Sequence, residues 1–590
     1  MAGDLQQEID KQMNDPMLPM GVITLSNMQG SVDLKQGMRH VFLNCQNVTI
    51  NSAEGTNQAD FINAQQVTVT DFKSGVLRFE KSKQIQNLKA SSAKLDTDSS
   101  QIQQLNLEDS SANLFNCMLQ TATFKNSNLH SFNDQYQGAL SLDGGTYYID
   151  TGTMSSTVDM KNGATINGPT LKAQGDITLD GSALNLDQPQ FQKLTATSSH
   201  MLMSTAKFQG AVSITKDGTC VLKDPTFSST ADLEDGTFVI TGGTFNGSIT
   251  LNNASFTGKN LTCTGDITAM ADDAGSMVLV DGSFQGLTAT KMAMRISGKA
   301  KFTGNVTSKD GALDSDGATY QQLTITGGNF VSSGDQIQTL TGTELVGPST
   351  LRSCKQAQTI SLEGDGTGTL LIDDLTSCQS LTIKSYSYVR LVGAKPSTLD
   401  IEECGTVQLD GCQINQGTAK TIGLFLSDGT STITQIDMED VQSANTNKAS
   451  KITAKNCTIT DNGSTFTSAD TCILITTGST IQDHTNCNIV NMGGTITGDG
   501  PSVINTMGGD ITNTKGYTGG MNFDVSQQGA SVLYDGTDMT VQCTTGKVSV
   551  ISTTSDVDIT GNDNVNVIAT LAEVSVEAGM NVHIQDGYTP

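Results

Sequence analysis

The sequence predicts an all-β fold, a parallel β-helix (β-solenoid), and three observations carry that prediction. One register of apolar side chains, Phe208, Phe227, Phe245, Cys263, Phe284, Phe302 and Tyr320, returns at steps of 19, 18, 18, 21, 18 and 18. Within each unit the apolar residues come in pairs at i and i+2, as in Leu381/Ile383, Val389/Leu391, Leu399/Ile401 and Val407/Leu409. That is the period of a strand buried on one face. Pieces such as Asp143-Gly144-Gly145, Asp281-Gly282 and Asp410-Gly411 fall between strands, where the chain must turn. A unit of about 18 residues with at least two strands is too short for a helical repeat and too regular for a sandwich. Coils stacked at about 4.8 Å remain. A chain of 590 residues then need not divide into several globules, because a solenoid grows along one axis.

The first 35 residues lack the pattern. Within them "DLQQEIDKQM" (4 to 13) places Leu5, Ile9 and Met13 four apart, which predicts one short helix ended before Pro16. Residues 1–35 are expected to cap the first coil, whose open strand edges need covering, or to attach the chain to something else.

Residues 36–434 are expected to form coils of 18–19 residues. "NCQNVTI" (44 to 50) and "NAQQVTV" (63 to 69) are offset by 19, and "SCQSLTI" (377 to 383) repeats the first almost verbatim. Val48, Val67, Ile85, Leu105 and Phe124 continue that register at 19, 18, 20 and 19. Residues 435–451, "QIDMEDVQSANTNKASK", carry no repeat and read as a junction or inserted loop.

Over 452–520 the coil narrows to 15 residues. Phe466, Ile481, Ile496 and Ile511 fall 15 apart, as do Ile459, Leu474, Ile489 and Ile504, and Cys457, Cys472 and Cys487 keep the same step. Over 521–590 paired residues recur every 8 or 9, from Met539/Val541 and Val548/Val550 to Val582/Ile584. One chain with two strands in each coil of about 17 is the preferred reading. The alternative rests on "VSVISTTSDVDITGNDNVNV", which resembles the intertwined trimeric β-helix of the piercing spikes on contractile phage tails and secretion systems. The His-x-His tip of those spikes has only His583 as a counterpart here.

Lys and Arg total 33 against 60 Asp and Glu, a net charge of -27, which disfavours nucleic acid and anionic membrane surfaces as partners. Arg39, Arg78, Arg295, Arg352 and Arg390 are too dispersed in sequence to suggest an anion-binding cluster. No apolar run reaches the roughly 18 residues of a membrane span, and the N-terminus does not read as a secretory signal. Synthesis in a cytoplasm is expected, with the 12 cysteines mostly free thiols used as small apolar residues. Sequons at Asn47 and Asn260 then reflect composition.

Little points to chemistry. Asp272/Asp273 and Asp373/Asp374 could be a glycosidase's acid and base, but neighbours on a strand face opposite ways and turn roles are preferred. "DGALDSDGA" (310 to 318) offers Asp314 and Asp316 to calcium without the distal Glu of a calcium loop. His40, His130, His200, His484 and His583 are scattered, and His484 with Cys487 is half a zinc site at best. The cysteine steps of 15 fit a thiol ladder lining a narrow core. No catalytic residue, cofactor or metal ligand is expected.

A long, acidic, all-β chain of this kind resembles the β-helical tail spikes, fibres and baseplate or capsid appendages of bacteriophages, over about residues 36–587. The resemblance implies a non-catalytic structural component of a virus particle, made in the host cytoplasm and located in the virion. It would project a surface for host attachment or assembly. Implied partners are other virion proteins, the chain itself as a homotrimer, and a host surface glycan or receptor, with no nucleic acid and no membrane insertion. The alternatives are a polysaccharide-cleaving tail-spike enzyme, a bacterial surface adhesin, which needs an export route, and a cytoskeletal solenoid such as the much shorter bactofilins.

Overall fold

The computed structural model describes residues 5–15, 21–52, 57–492 and 494–497, without the side chains of 52, 57, 273 and 274. Beyond 500 it describes only the backbone of the strands from Ser502–Thr506 to Val582–Asp586. The chain divides into two units, residues 1–304 and 305–590, and each is a parallel β-solenoid.

In the first unit a coil has three faces. Ser111–Phe115 is followed by a short face at Met118 and Leu119 and a third at 121–125, and the next coil begins at 128–132. Two corners carry residues in the left-handed region, Asn116 (φ 52°) and Asn126 (φ 48°). This conformation costs most residues about 1 kcal/mol or more and suits Asn, Asp and Gly best, which explains the turn-residue punctuation. At Gly145 (φ 87°) a Cβ would stand 2.0 Å from the Ser127 carbonyl oxygen, so only glycine fits. The corner N–H groups are not wasted: Asn116 N donates to Phe132 O (3.0 Å) and Asn44 N to Ile62 O (2.9 Å), each on the next coil.

Inward residues form ladders. Phe208, Phe227, Phe245, Cys263, Phe284 and Phe302 pair coil to coil, as their spacing predicts, and Phe191 pairs with Phe208 ahead of them. The rings of Phe227 and Phe245 stack at 4.2 Å between centroids, and those of Phe42, Phe61 and Phe79 at 4.5 and 4.7 Å. The register expected through Val48, Val67, Ile85, Leu105 and Phe124 slips. Val48 does pair with Val67, but Val69 then pairs with Leu88, Leu88 with Leu105, and Leu105 with Ala122, while Ile85 lies opposite Ile102 on another face. Leu105 meets Leu88, three residues beyond Ile85, and Ala122, two residues short of Phe124, and all four are buried, so the hydrophobic pattern cannot reveal the slip.

Helix α1 (Leu5–Met13) covers the first coil. Leu5 and Ile9 are wholly buried. Gln12 Nε2 donates to Thr24 O (2.7 Å), and its Oε1 accepts from Thr24 N (3.0 Å). Gln6 Oε1 accepts from Asp33 N (3.1 Å). These amides satisfy strand-edge groups that would otherwise be unpaired. Coil residues begin earlier than position 36, however, because Val22–Ser26 and Gly30–Asp33 are already strands. The cap is α1 itself.

In the second unit the coil changes size in the middle. Val407 pairs with Phe425 and Phe425 with Ala444, at steps of 18 and 19. Ala444, Ile459, Leu474, Ile489 and Ile504 then follow at 15. Residues 435–451, expected as a junction or inserted loop, are mostly strand, Thr432–Asn447. The change of period does fall here, but the chain makes it by shortening a coil, not by looping out. The period widens again after Ile504, which pairs with Phe523, and Phe523 pairs with Val541, at 19 and 18. In the C-terminal strands Val548 pairs with Val565 and Val565 with Val582 of the same chain, each at 17. Within this chain, two 8–9-residue pieces therefore make one coil.

Candidate functional site

The first unit carries a face on which charged and aromatic side chains meet. Its outward column runs Asp60, Arg78, Asp96, Asn113, His130 and Tyr148, paired strand to strand. A groove of about 280 Å³ opens beside it, walled by Arg39, Asp60, Arg78, Asp96, Asp98 and Phe115. Arg39 and Arg78, dispersed in sequence, are two coils apart and share this groove. Each is held by a carboxylate, so the pair does not make the anion-binding cluster that the sequence likewise offered no reason to expect. Arg39 Nε and Nη2 both reach Asp60 Oδ2, at 2.6 and 2.5 Å. Arg78 Nε lies 3.5 Å from Asp96 Oδ2, with Lys94 Nζ at 3.2 Å from the same oxygen, and Asn113 Nδ2 donates to Asp96 Oδ1 at 2.7 Å. Glu80 accepts from Lys81 Nζ (3.2 Å) and Asp98 from Ser99 Oγ (2.8 Å). All four groove carboxylates are thus engaged and fixed in orientation.

Phe115 leads from the groove into an exposed aromatic band. Phe115, Phe132 and Tyr148 are 39%, 42% and 43% exposed, large values for rings that could have been core. His130 lies among them, 6.1 Å from Phe115 and 5.1 Å from Tyr148, edge to face in both cases, and Phe115 is 6.4 Å from Phe132. An exposed apolar patch rimmed by polar groups marks an interaction surface far more often than a scattered ring does. Phe115, Phe132 and Tyr148 are not among the residues that the sequence singles out. The signal was present: Phe115/Phe132 and His130/Tyr148 are separated by 17 and 18 residues, one coil each, at positions offset by one from an inward residue.

The two carboxyls most suited by acidity to general-acid work lie elsewhere. Asp134 and Asp335 are both pushed up to about 6, mainly by burial, and raised acids are candidate catalytic groups. Both are sealed inside corners, at 1% and 0% exposure. Ser131 Oγ and Cys117 N donate to Asp134 at 2.5 and 2.6 Å, and Ser332 Oγ and Ala318 N to Asp335 at 2.5 and 2.7 Å. They hold corners together and meet no solvent-borne ligand.

The residues singled out by sequence are distributed as follows. Asp373 ends the strand Thr369–Asp373 and Asp374 is a left-handed corner residue (φ 56°), as its turn role predicts. Asp272 lies within a long strand, where Asn253 Oδ1 accepts from its N–H (2.7 Å), and the side chain of Asp273 is outside the described residues. Asp314 and Asp316 sit on the strand Ala312–Asp316, not on a loop that could wrap an ion. His40 is buried and its pKa is lowered to about 4 by desolvation. His484 is buried, and His130 and His200 are exposed on strands; the side chain of His583 is outside the described residues.

Cys457, Cys472 and Cys487 occupy successive coils, all buried, beside the paired Ile459, Leu474 and Ile489. Their thiols donate to the carbonyl two residues back, Lys455, Asp470 and Thr485, at 3.0, 3.2 and 3.3 Å. Hydrogen bonding to the two neighbouring sulfurs, and then burial, pushes the Cys472 thiol up, while the same contacts lower Cys457 and Cys487. Eight of the 11 described cysteines directly follow a left-handed residue, as Cys45 follows Asn44, Cys117 follows Asn116 and Cys472 follows Thr471. Ser82 and Ser100 hold the same corner and donate in the same way, to Glu80 O (3.3 Å) and Asp98 O (2.9 Å). The thiol is therefore a corner residue interchangeable in role with serine. Among the described residues no group of three His, Cys, Asp or Glu side chains is placed to hold a metal ion.

No family model, curated protein or solved structure matches this chain.

Proposed function

We propose that this chain is a non-catalytic structural component of a virus particle, a tail spike, fibre, baseplate or capsid appendage, whose first unit presents a binding face. The observation that carries the binding role is the pairing in the groove: Asp60, Glu80, Asp96 and Asp98 each have a cation, amide or hydroxyl partner. A hydrolase needs one carboxyl free to donate a proton and a second free to attack or to activate water. Carboxylates already engaged by such partners orient a ligand instead. The ladders support a scaffold role, since each coil adds a layer of core without a separate domain. The virion assignment rests on the architectural likeness to phage appendages, a fold-level analogy.

The test uses particles purified from lysed host cells and antibodies raised against the chain. Gold-labelled antibody should decorate particle appendages, and the chain should sediment with particles in a density gradient. A chain left wholly in the soluble fraction, with undecorated particles, overturns the virion reading.

A further inference from the structure

We infer that the thiols of Cys457, Cys472 and Cys487 form a binding site for a soft monovalent cation such as Cu(I), each ion held in line between sulfurs of neighbouring coils. The inference concerns the second unit and is independent of the face proposed above for binding. A single thiol at a corner needs no ligand to explain it, since serine does the same work at Ser82 and Ser100. Three in succession are another matter. In the first unit the same kind of corner carries Cys45, Ala64, Ser82, Ser100, Cys117 and Asp134 on successive coils, and no two neighbours are thiols. In the second unit the wider coils put Cys404, Ile422 and Val441 at the corner that leads into the ladder. Among the described residues no other two cysteines occupy matching positions on neighbouring coils. A corner that accepts Ala, Ser, Ile or Val does not demand sulfur three times running.

The geometry fits an ion between the sulfurs. Ile473 N donates to Cys457 O and Asn488 N to Cys472 O, each at 2.8 Å, so the three cysteines hold one position on successive coils. The Cys472 thiol meets the sulfurs on both sides. Parallel strands keep these coils about 4.8 Å apart, with equivalent side chains pointing the same way. That spacing decides between two fates for the pair. A disulfide needs sulfurs about 2.0 Å apart and Cβ atoms about 3.8 Å apart, so two coils would have to close by about 1 Å. Metal–sulfur bonds of about 2.3 Å place the sulfurs of a straight S–metal–S unit about 4.6 Å apart, close to the coil repeat.

The donor set selects the ion. Among the described residues no three ligating side chains converge, which removes the four-ligand site that zinc takes. Thiol sulfur favours Cu(I), for which two ligands suffice. Three sulfurs in a row offer two such gaps. Only the exposed corner residues Asn456, Thr471 and Asn486 stand between them and solvent along the chain. Each ion taken up displaces one thiol proton to solvent and accepts a lone pair from the next sulfur. Two ions therefore release two protons, one sulfur keeps its proton, and the ladder gains no net charge, which is the main cost of placing an ion in a core.

The full chain, reduced and kept free of oxygen, is equilibrated with Cu(I) presented as its bathocuproine disulfonate complex, desalted, and analysed for copper and protein. It should retain two copper ions per chain, with two sulfur neighbours each by X-ray absorption. Cys472→Ser removes the shared sulfur and should lose both ions. Cys457→Ser and Cys487→Ser should each lose one, and Cys45→Ser, at an isolated corner thiol, should lose none, with the far-UV circular dichroism unchanged throughout. Should Cys472→Ser fail to fold, the single losses at Cys457 and Cys487 carry the test. No retained copper, copper retained equally by Cys472→Ser, an equal loss from Cys45→Ser, or a disulfide between these cysteines in place of bound metal would each overturn the inference.

Discussion

Around Phe227, in the first unit, coils of 18 and 19 residues enclose phenylalanine rings stacked at 4.5 and 4.2 Å. Around Cys472, in the second, coils of 15 enclose Leu474, Ala469 and three successive thiols. Removing three or four residues from a coil shortens its perimeter, and in the narrow region a single ring, Phe466, pairs with the aliphatic Ile452 and Ile481 and not with further rings. The corner thiols occur in coils of both sizes. The comparison teaches that coil length, read from spacing, sets which residues can fill the core, and that cysteine here answers a question of volume and hydrogen bonding.

The largest effect should come from opening the wide core. Phe227→Ala removes a ring held between Phe208 and Phe245 and should cost about 3–5 kcal/mol, read as a lowered urea midpoint. A loss below about 1 kcal/mol would mean that the stack collapses freely and that coil length does not fix the core.

A second test separates buried acids from the coil-length effect, because one lies in each unit. Burial raises the folded pKa values of Asp134 and Asp335 to about 6 from the ordinary carboxylate value of 3.8. A raised carboxyl contributes stability that is fully present below its unfolded pKa and is lost as pH rises through the folded value. Two units correspond to about 3 kcal/mol per site. Wild-type stability should therefore fall between pH 4 and pH 7.5 by more than that of Asp134→Asn or Asp335→Asn. Parallel curves for wild type and variants would show that the corners tolerate the charge.

Exchanging side chains between the two regions comes next. Cys472→Phe should overpack the narrow coil and cost about 1–3 kcal/mol or more. Cys263→Phe should cost less, because Cys263 stands between Phe245 and Phe284 in a ladder of rings. Equal costs would break the comparison.

The smallest effects distinguish two uses of cysteine. Cys472→Ser should change stability by less than about 1 kcal/mol, since serine holds equivalent corners and keeps the bond to the carbonyl two residues back. Cys220 lies instead in a strand ladder between Met201 and Phe238, where burial alone pushes its thiol up to about 12. Cys220→Ser should cost about 1–3 kcal/mol for a buried hydroxyl without a partner. A larger loss at Cys472 than at Cys220 would show that the thiol ladder does more than hold a corner.

How much could be read from the chain follows the same geometry. The Phe208 to Phe302 ladder and the 15-residue steps of Ile459, Leu474 and Ile489 were legible because an inward residue recurs once per coil and the pairing follows that recurrence. The register through Ile85 and Leu105 was not, because Leu105 pairs with Leu88 and Ile85 with Ile102, and both Ile85 and Leu88 are buried, so either fits the apolar pattern. Thr432–Asn447 reads as loop because its inward residues, Ile436, Met438 and Val441, pair at 19 on one side and, through Ile436 and Ile452, at 16 on the other. A repeat search sees neither period. The face proposed for binding was the least legible part. Arg39 and Arg78 meet only when two coils stack, and Phe115, Phe132 and Tyr148 matter because they point outward, where composition offers no expectation.

The central claim is that this face holds a ligand without transforming it. The most direct measurement is prolonged incubation of the purified chain with host surface glycans and with any oligosaccharide it binds, followed by chromatography of the sugars. The account predicts that every saccharide is recovered at its original length. The appearance of shorter oligosaccharides with new ends, lost in a variant of the Arg39 to Phe115 groove such as Asp96→Asn, would contradict it.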